Sequence, residues 1–163
     1  MTNDEIGAAR FSSFVIRPSS FPMHTITVGP LTITATLDEN GHLTAVTLPE
    51  KVPAGLHSAH LAEALRQLGK YTLAFPKSGP FVLKVWDRLR TIPWGQALTY
   101  GEVATQLGNP RGSRAVGQAC GKNRLLLIVP CHRIVAEAGL GGFALGLEWK
   151  AAHLALETES RCD

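Results

Sequence analysis

The sequence predicts an α/β chain of the α+β kind, in which a small N-terminal antiparallel-sheet domain precedes a mainly helical C-terminal domain with a helix-turn-helix. Three observations lead there. Residues 24–48 set Leu31, Ile33, Ala35 and Leu37 against Thr32, Thr34 and Thr36, the two-residue period of a half-buried strand. Residues 81–89 carry Phe81, Val82, Val85, Trp86 and Leu89 at helical spacing. Residues 99–123 hold two helix-start signals, Thr99 and Ser113, separated by the breaker Gly108-Asn109-Pro110.

In chain order, residues 1–22 are polar and Ser-rich with no clear period, and they are expected to be a poorly ordered lead-in. The strand run turns at Asp38–Gly41 and resumes through Leu43–Leu48. Residues 56–68 place Leu56, His60, Leu61, Ala64, Leu65 and Leu68 on one helical face, with Gly69 as a C-terminal cap. His57 and His60 share that helix, but a metal site needs three or four donors and no third is evident, so no metal is assigned. Pro76–Pro80 is the expected boundary between domains 23–76 and 77–163.

In the second domain, Thr99 and Glu102 have the spacing of a capping box, starting a helix that runs to Leu107. Ser113 is the expected cap of the next helix, 114–123. That helix contains Ala115, Gly117, Ala119 and Gly121, and a helical glycine costs up to about 1 kcal/mol relative to alanine. So smooth a helix suits close approach, either to a neighbouring helix or to the roughly 6 Å wide minor groove of DNA.

With 163 residues, 45% of them hydrophobic, the chain can bury one core or two small ones sharing an interface. No apolar run reaches the roughly 18 residues of a membrane span, and the first residues lack the apolar length of a secretory signal, so a cytoplasmic protein is expected. Cys120, Cys131 and Cys162 are odd in number and form no CxxC pair, which argues against a disulfide framework or a cysteine-rich zinc site. Positive charge is concentrated: residues 84–133 carry eight basic and two acidic side chains, whereas residues 1–83 balance and 134–163 are net acidic. Such a stretch is either a phosphate-facing surface or a solvated basic face.

The most reactive stretch is Ile128-Val-Pro-Cys-His-Arg-Ile-Val135. Flanking β-branched residues suggest a buried strand that carries Cys131 to a bend at Pro130. A thiol is nucleophilic as thiolate, and an imidazole accepting its proton is a recurring route to that state. On a regular strand Cys131 and His132 would face opposite sides, so they meet only at an irregular turn or through water. The alternative is a packed, inert cysteine.

Pro130-Cys131-His132-Arg133, the segment Phe81–Asn123, and Lys150 and Glu157 together resemble the O6-alkylguanine-DNA alkyltransferases, over most of residues 70–157. The resemblance implies a stoichiometric repair protein that moves the alkyl group of O6-methylguanine, with O4-methylthymine as a second candidate, onto Cys131. His132 is then the base, Glu157 its orienting carboxylate, Asn123 a brace for the turn, and Tyr100 a pocket hydroxyl. Arg114 would fill the space left by the extruded nucleotide, with Ser113, Ala115, Gly117, Thr99, Lys122 and Arg124 also on the DNA side. Tyr100, Ile134, Phe143 and Ala144 would line the alkyl pocket. The implied partner is alkylated double-stranded DNA, bound by a monomer in the minor groove, with no cofactor. Arg133 is expected to hold the fold through a buried carboxylate. The chain departs from the family in the loop after Cys131: Phe143 stands in place of a tyrosine, Leu145 replaces a glycine, and the loop is about one residue shorter. Cys120 is a candidate second reactive thiol, and Cys162 an exposed bystander. Two other classes remain beside this one: an inert lesion-binding protein, which would lack the cysteine, and a Cys-His hydrolase, which would need an oxyanion site.

Overall fold

The structure is a computed structural model in which residues 21–160 are described. Nearly all of the lead-in 1–22, and Cys162, lie outside the described residues. Strands β1 (Met23–Val28), β2 (Leu31–Leu37) and β3 (Leu43–Thr47) form an antiparallel meander. Val28 pairs with Leu31, leaving a two-residue loop of Gly29 and Pro30. Gly29 at φ +57, followed by a proline of fixed negative φ, is what a type II′ hairpin turn demands. At the other hairpin the Asp38 carboxylate accepts hydrogen bonds from the backbone N–H groups of Asn40 and His42, both at 2.9 Å. The alternation foreseen in β2 is present, with Leu31, Ile33, Ala35 and Leu37 all buried.

The outer edge of β3 is closed by distant segments. Leu43 N–H donates to Thr72 O at 2.8 Å, Ala74 N–H to Leu43 O at 2.9 Å, and Val46 N–H to Arg124 O at 2.8 Å. An edge strand exposes unpaired backbone groups, and here the chain leading to the thiol supplies part of the cover.

Helix α1 (Ser58–Leu68) buries Leu61, Ala64 and Leu68. His57 caps it, its N–H donating to His60 Nδ1 at 3.0 Å. A Cβ on Gly29 would come within 2.6 Å of His60 Nε2, so His60 packs on the first hairpin turn. Gly69 does occupy the C-cap, but at φ −64, so its left-handed freedom is unused there.

Helix α2 (Pro80–Arg90) starts with proline at its first turn, where the missing N–H costs no intrahelical bond. It buries Val85, Trp86 and Leu89, and Trp86 Nε1 donates to Ala119 O at 2.9 Å. Two short strands, β4 (Leu98–Thr99) and β5 (Ile134–Val135), pair in parallel. Helices α3 (Tyr100–Gln106) and α4 (Ser113–Gly121) follow β4 and pack on each other, and α5 (Leu147–Glu159) closes the described fold. The expected capping box at α3 is present: Thr99 N–H donates to Glu102 Oε2 at 2.7 Å and Glu102 N–H to Thr99 Oγ1 at 3.1 Å. At α4 the expectation fails, because Gly112 is the N-cap and Ser113 the first helical residue. The turn explains the shift: Gly112 N–H bonds Asn109 O at 2.8 Å and Val116 N–H bonds Gly112 O at 3.0 Å, so the helix begins one residue early. It also stops at Gly121 rather than at residue 123.

One continuous cluster of buried residues joins the sheet, α1, α2, α4 and α5. Trp149 of α5 anchors it across the molecule by donating from Nε1 to Pro49 O at 2.8 Å. Among the described residues no helix is long and apolar enough to cross a membrane.

Candidate active site

Asn123 shapes the thiol turn. Its Oδ1 accepts from Leu125 N–H at 2.9 Å, which orients the amide and leaves Nδ2 to donate to Val129 O at 2.8 Å and to Cys131 Sγ at 3.2 Å. These bonds replace the strand partner that the apolar run would otherwise need, and they correct the expectation of a strand entering the site. Residues 125–130 instead fold back, with Leu127 at φ +70, and Cys131–Arg133 form one turn of 3₁₀ helix, followed only then by β5.

Cys131 is 6% exposed. Burial pushes its thiol up, while the Asn123 hydrogen bond and the positive charge of Lys150 pull it down. An N–H aimed at sulfur favours the thiolate over the thiol. His132, 2% exposed, places Nε2 2.6 Å from Glu157 Oε1. Burial alone would raise Glu157, but the hydrogen bonds from His132 and Arg133 outweigh it and hold the carboxyl at about 2. A carboxylate can only accept, so Nε2 carries hydrogen and Nδ1 is left as the proton acceptor of a neutral ring. Burial holds His132 below its usual value, which keeps the ring neutral.

Glu157 is also the carboxylate expected for Arg133. Arg133 Nε donates to Glu157 Oε2 at 2.8 Å and its Nη2 to Oε1 at 2.9 Å, while Nη1 reaches Ile92 O at 2.7 Å. Gly95 N–H adds a fourth donor at 3.1 Å. One buried carboxylate therefore fixes base, arginine and the 92–95 loop together.

A second group holds the loop after β5. Lys150 is 0% exposed, and its Nζ donates to Gly142 O at 3.0 Å, an oxygen that also accepts from Tyr100 Oη at 3.4 Å. Gly141 lies at φ +72 and a Cβ there would meet Tyr100 Cε2 at 2.9 Å, so glycine is required for the loop to pass the ring. Burial raises the Tyr100 phenol, which therefore stays protonated and can donate. Of the other residues expected at the pocket, Phe143 is half-buried with its ring edge-on to His153, Ala144 is exposed, and Ile134 is fully buried in β5. Cys120 lies on α4, and burial pushes its thiol up to about 12, which leaves it a poor nucleophile near neutrality.

On α4, Val116 and Ala119 are buried, whereas Arg114, Gln118 and Gly121 recur on the exposed side with Ser113. Ala115 and Gly117 are half-buried, Thr99 is held in its capping box, and Lys122 and Arg124 are exposed. A Cβ on Gly121 would meet nothing within 4 Å, and one on Gly117 would meet Tyr100 Cε1 at 3.7 Å, an ordinary contact. Packing inside the molecule does not require glycine at either position.

The sequence model described as the DNA-binding domain of 6-O-methylguanine DNA methyltransferase matches residues 80–159, which hold every side chain just described around Cys131. The methylated-DNA–protein-cysteine methyltransferase of Saccharolobus solfataricus is 48% identical over 81 residues, 50% of this chain and 52% of that one. The chain thus spans about half the length of the curated relatives it matches. The crystal structure of Mycobacterium tuberculosis O6-methylguanine methyltransferase superposes with a TM-score of 0.66 at 29% identity, over 86% of this chain and 94% of that one. Mycobacterium tuberculosis OGT in complex with DNA gives a TM-score of 0.63 at 31% identity, over 85% and 92%. The chain belongs to the O6-methylguanine-DNA methyltransferase family.

Membership accounts for the mixed α/β fold. No motif in the sequence marks His153 or Trp149. Both are buried on α5, His153 beside His132 and Trp149 beside His153. Residues 149, 150, 153, 156 and 157 are all buried at helical spacing. Three of those five are polar or charged, so a search for apolar periodicity passes over the helix that carries the site's carboxylate.

Proposed function

We propose that this protein repairs O6-alkylguanine, O6-methylguanine above all, in double-stranded DNA by moving the alkyl group to Cys131, once per molecule and without a cofactor. The observation that carries the proposal is the buried relay in which Asn123 points an N–H at the Cys131 sulfur while Glu157 fixes the neighbouring imidazole as a proton acceptor. In the transfer, the Cys131 proton goes to His132 Nδ1, directly or through one water. The sulfur–carbon bond forms as the carbon–O6 bond breaks. The departing guanine takes a proton from Tyr100, which recovers one from His132, so the thiol hydrogen ends on guanine and the alkyl group on sulfur. The thioether has no leaving group that this site can expel, so the reaction stops there. Arg133 acts through Glu157 and touches no substrate.

The partner surface in this reading is the helix-turn-helix α3–α4, with α4 in the minor groove and Arg114 filling the stack vacated by a flipped nucleotide. Ser113, Lys122 and Arg124 face the phosphates. The protein acts as a cytoplasmic monomer.

The test is the intact and tryptic mass of the protein after incubation with a duplex holding one O6-methylguanine. Covalent transfer to a protein nucleophile predicts a gain of about 14 Da on the Cys131 peptide, at most once per molecule. An unchanged mass with tight binding would make the protein a lesion sensor, and an unchanged mass without binding would return Cys131 to a packing role. Two substitutions probe the surface. Gly117→Ala or Gly121→Ala is expected to raise stability by about 0.5–1 kcal/mol while weakening duplex binding, because the added methyl helps the helix and obstructs the groove. A thermal melt and a duplex titration check the opposite signs. Arg114→Ala is expected to slow transfer from duplex far more than transfer from free O6-methylguanine, and equal slowing in single-turnover assays would remove its finger role.

A further inference from the structure

His153 stands on α5 one turn before Glu157, is 1% exposed, and has no hydrogen-bond partner among the described residues at either ring nitrogen. A buried polar group left unpaired lowers stability, so an aliphatic side chain of similar size would serve the core better. Its contacts are with rings. The His132 centroid is 4.5 Å away at an interplanar angle of 45°, Trp149 lies at 5.2 Å and 46°, and Phe143 is edge-on at 6.2 Å. Burial first, and then the charge His132 can carry, hold His153 down at about 3, so it is neutral near neutral pH. It presents to His132 an aromatic ring and not a competing cation.

That matters because desolvation opposes both halves of the proton transfer: burial pushes the Cys131 thiol up and the His132 imidazole down. The charged groups that act on the His132 ring come from two elements. From α5, Glu157 favours the imidazolium and Lys150 opposes it; from the thiol turn, Arg133 opposes it and also shares the Glu157 carboxylate. The loop 92–95 contributes the Gly95 N–H on Glu157, the Ile92 carbonyl on Arg133 and the Trp94 ring, 5.6 Å from the Arg133 guanidinium carbon. One carboxylate thus works against two cations and the loss of solvent. A polarisable neutral ring in contact is the remaining source of stabilisation for a cation formed there.

We propose that His153 is a positioning residue for alkyl transfer, its neutral ring stabilising the imidazolium that His132 becomes on taking the Cys131 proton. The inference rests on the function proposed above. Replacing the ring by an aliphatic side chain removes an interaction present only in the charged state, so transfer should slow by about 2- to 30-fold at neutral pH, the range of a partly to fully desolvated cation–ring contact. The experiment compares wild type with H153L and H153F, using H153M where leucine does not fold. Single-turnover methyl transfer gives the rate, a thermal melt gives the stability, and NMR titration of ring-labelled histidine gives the His132 ionisation without any need for activity. The expected result is that H153L melts no lower than wild type, transfers more slowly and titrates His132 at lower pH, whereas H153F retains rate and titration because it retains a ring. Wild-type rate and titration in H153L would overturn the proposal, as would equal slowing in H153L and H153F. If wild type transfers no methyl group, it is the function that fails, and the His132 titration still reports whether the two rings are coupled.

Discussion

Cys131→Ser abolishes methyl transfer and leaves the protein folded and its duplex affinity unchanged. Serine keeps the shape of the turn, since Asn123 still bonds Leu125 N–H and Val129 O, and those bonds do not involve the sulfur. What is lost is the nucleophile: an alcohol is far less acidic than a thiol, and the one N–H and the imidazole that favour a thiolate do not ionise a hydroxyl at neutral pH. The DNA-facing side of α4 is built from other residues, so binding persists. The check is mass spectrometry alongside a duplex titration, and any methylated serine variant would mean that Cys131 is not the acceptor.

Glu157→Ala has the largest expected effect on stability, a loss of about 3–5 kcal/mol, because it leaves the buried Arg133 without its carboxylate. It also frees His132 Nε2, so transfer fails even in the folded fraction. Glu157→Gln should lose less stability, since the amide oxygen can still accept from Arg133, and yet it should transfer poorly because the imidazolium has lost its counter-charge. Urea melts at several pH values separate the contributions. Glu157 is held at about 2 in the fold against an ordinary 4.5, so its stabilisation is complete above pH 4.5 and drains away towards pH 2, roughly 3 kcal/mol in all at 1.36 kcal/mol per pKa unit. His153 is neutral in the fold down to about 3 but ordinarily titrates at 6.5. The unfolded chain therefore takes up a proton that the fold refuses, and stability falls as pH drops from 6.5 towards 3. The Glu157→Ala variant should lose the lower limb of this acid sensitivity and keep the upper one; retention of both would mean that Glu157 is not the group held ionised.

What was legible in the sequence was what is local. The alternation of β2 and the Thr99–Glu102 box depend on neighbours within four residues, and both are present as expected. The thiol turn misled because Ile128, Val129, Ile134 and Val135 around Cys131 look like a strand. Asn123 supplies the backbone partners instead, which a pattern of side-chain polarity does not register. The cap of α4 moved to Gly112 because the Asn109–Pro110 turn closes one residue sooner than Ser113 suggests. Helix α5 escaped notice since its buried face is largely Lys150, His153 and Glu157, residues that can be buried only against partners from other segments. The carboxylate for Arg133 was foreseen as a type but not as a residue, since it lies 24 positions along the chain. Site roles came from the resemblance of Pro130–Arg133 and its surroundings to a family, and the geometry joins Asn123 to Cys131 and both His132 and Arg133 to Glu157.

The closure of the β3 edge has a consequence in time. Val46 bonds the carbonyl of Arg124, and Pro49 holds the indole of Trp149 across 100 positions of sequence. The segment carrying Asn123 and Cys131 completes its backbone pairing only on a strand made long before it, and the helix bearing Glu157 docks on the same region later still. During synthesis part of that edge stays open until the Arg124 segment has emerged, and Trp149 reaches Pro49 only later, so the reactive centre is assembled late in folding and not at its start. Contacts of such long sequence separation slow folding and lengthen exposure of that edge. Refolding of the whole chain should therefore recover the indole environment of Trp149 and alkyl-transfer competence together, in the slowest phase.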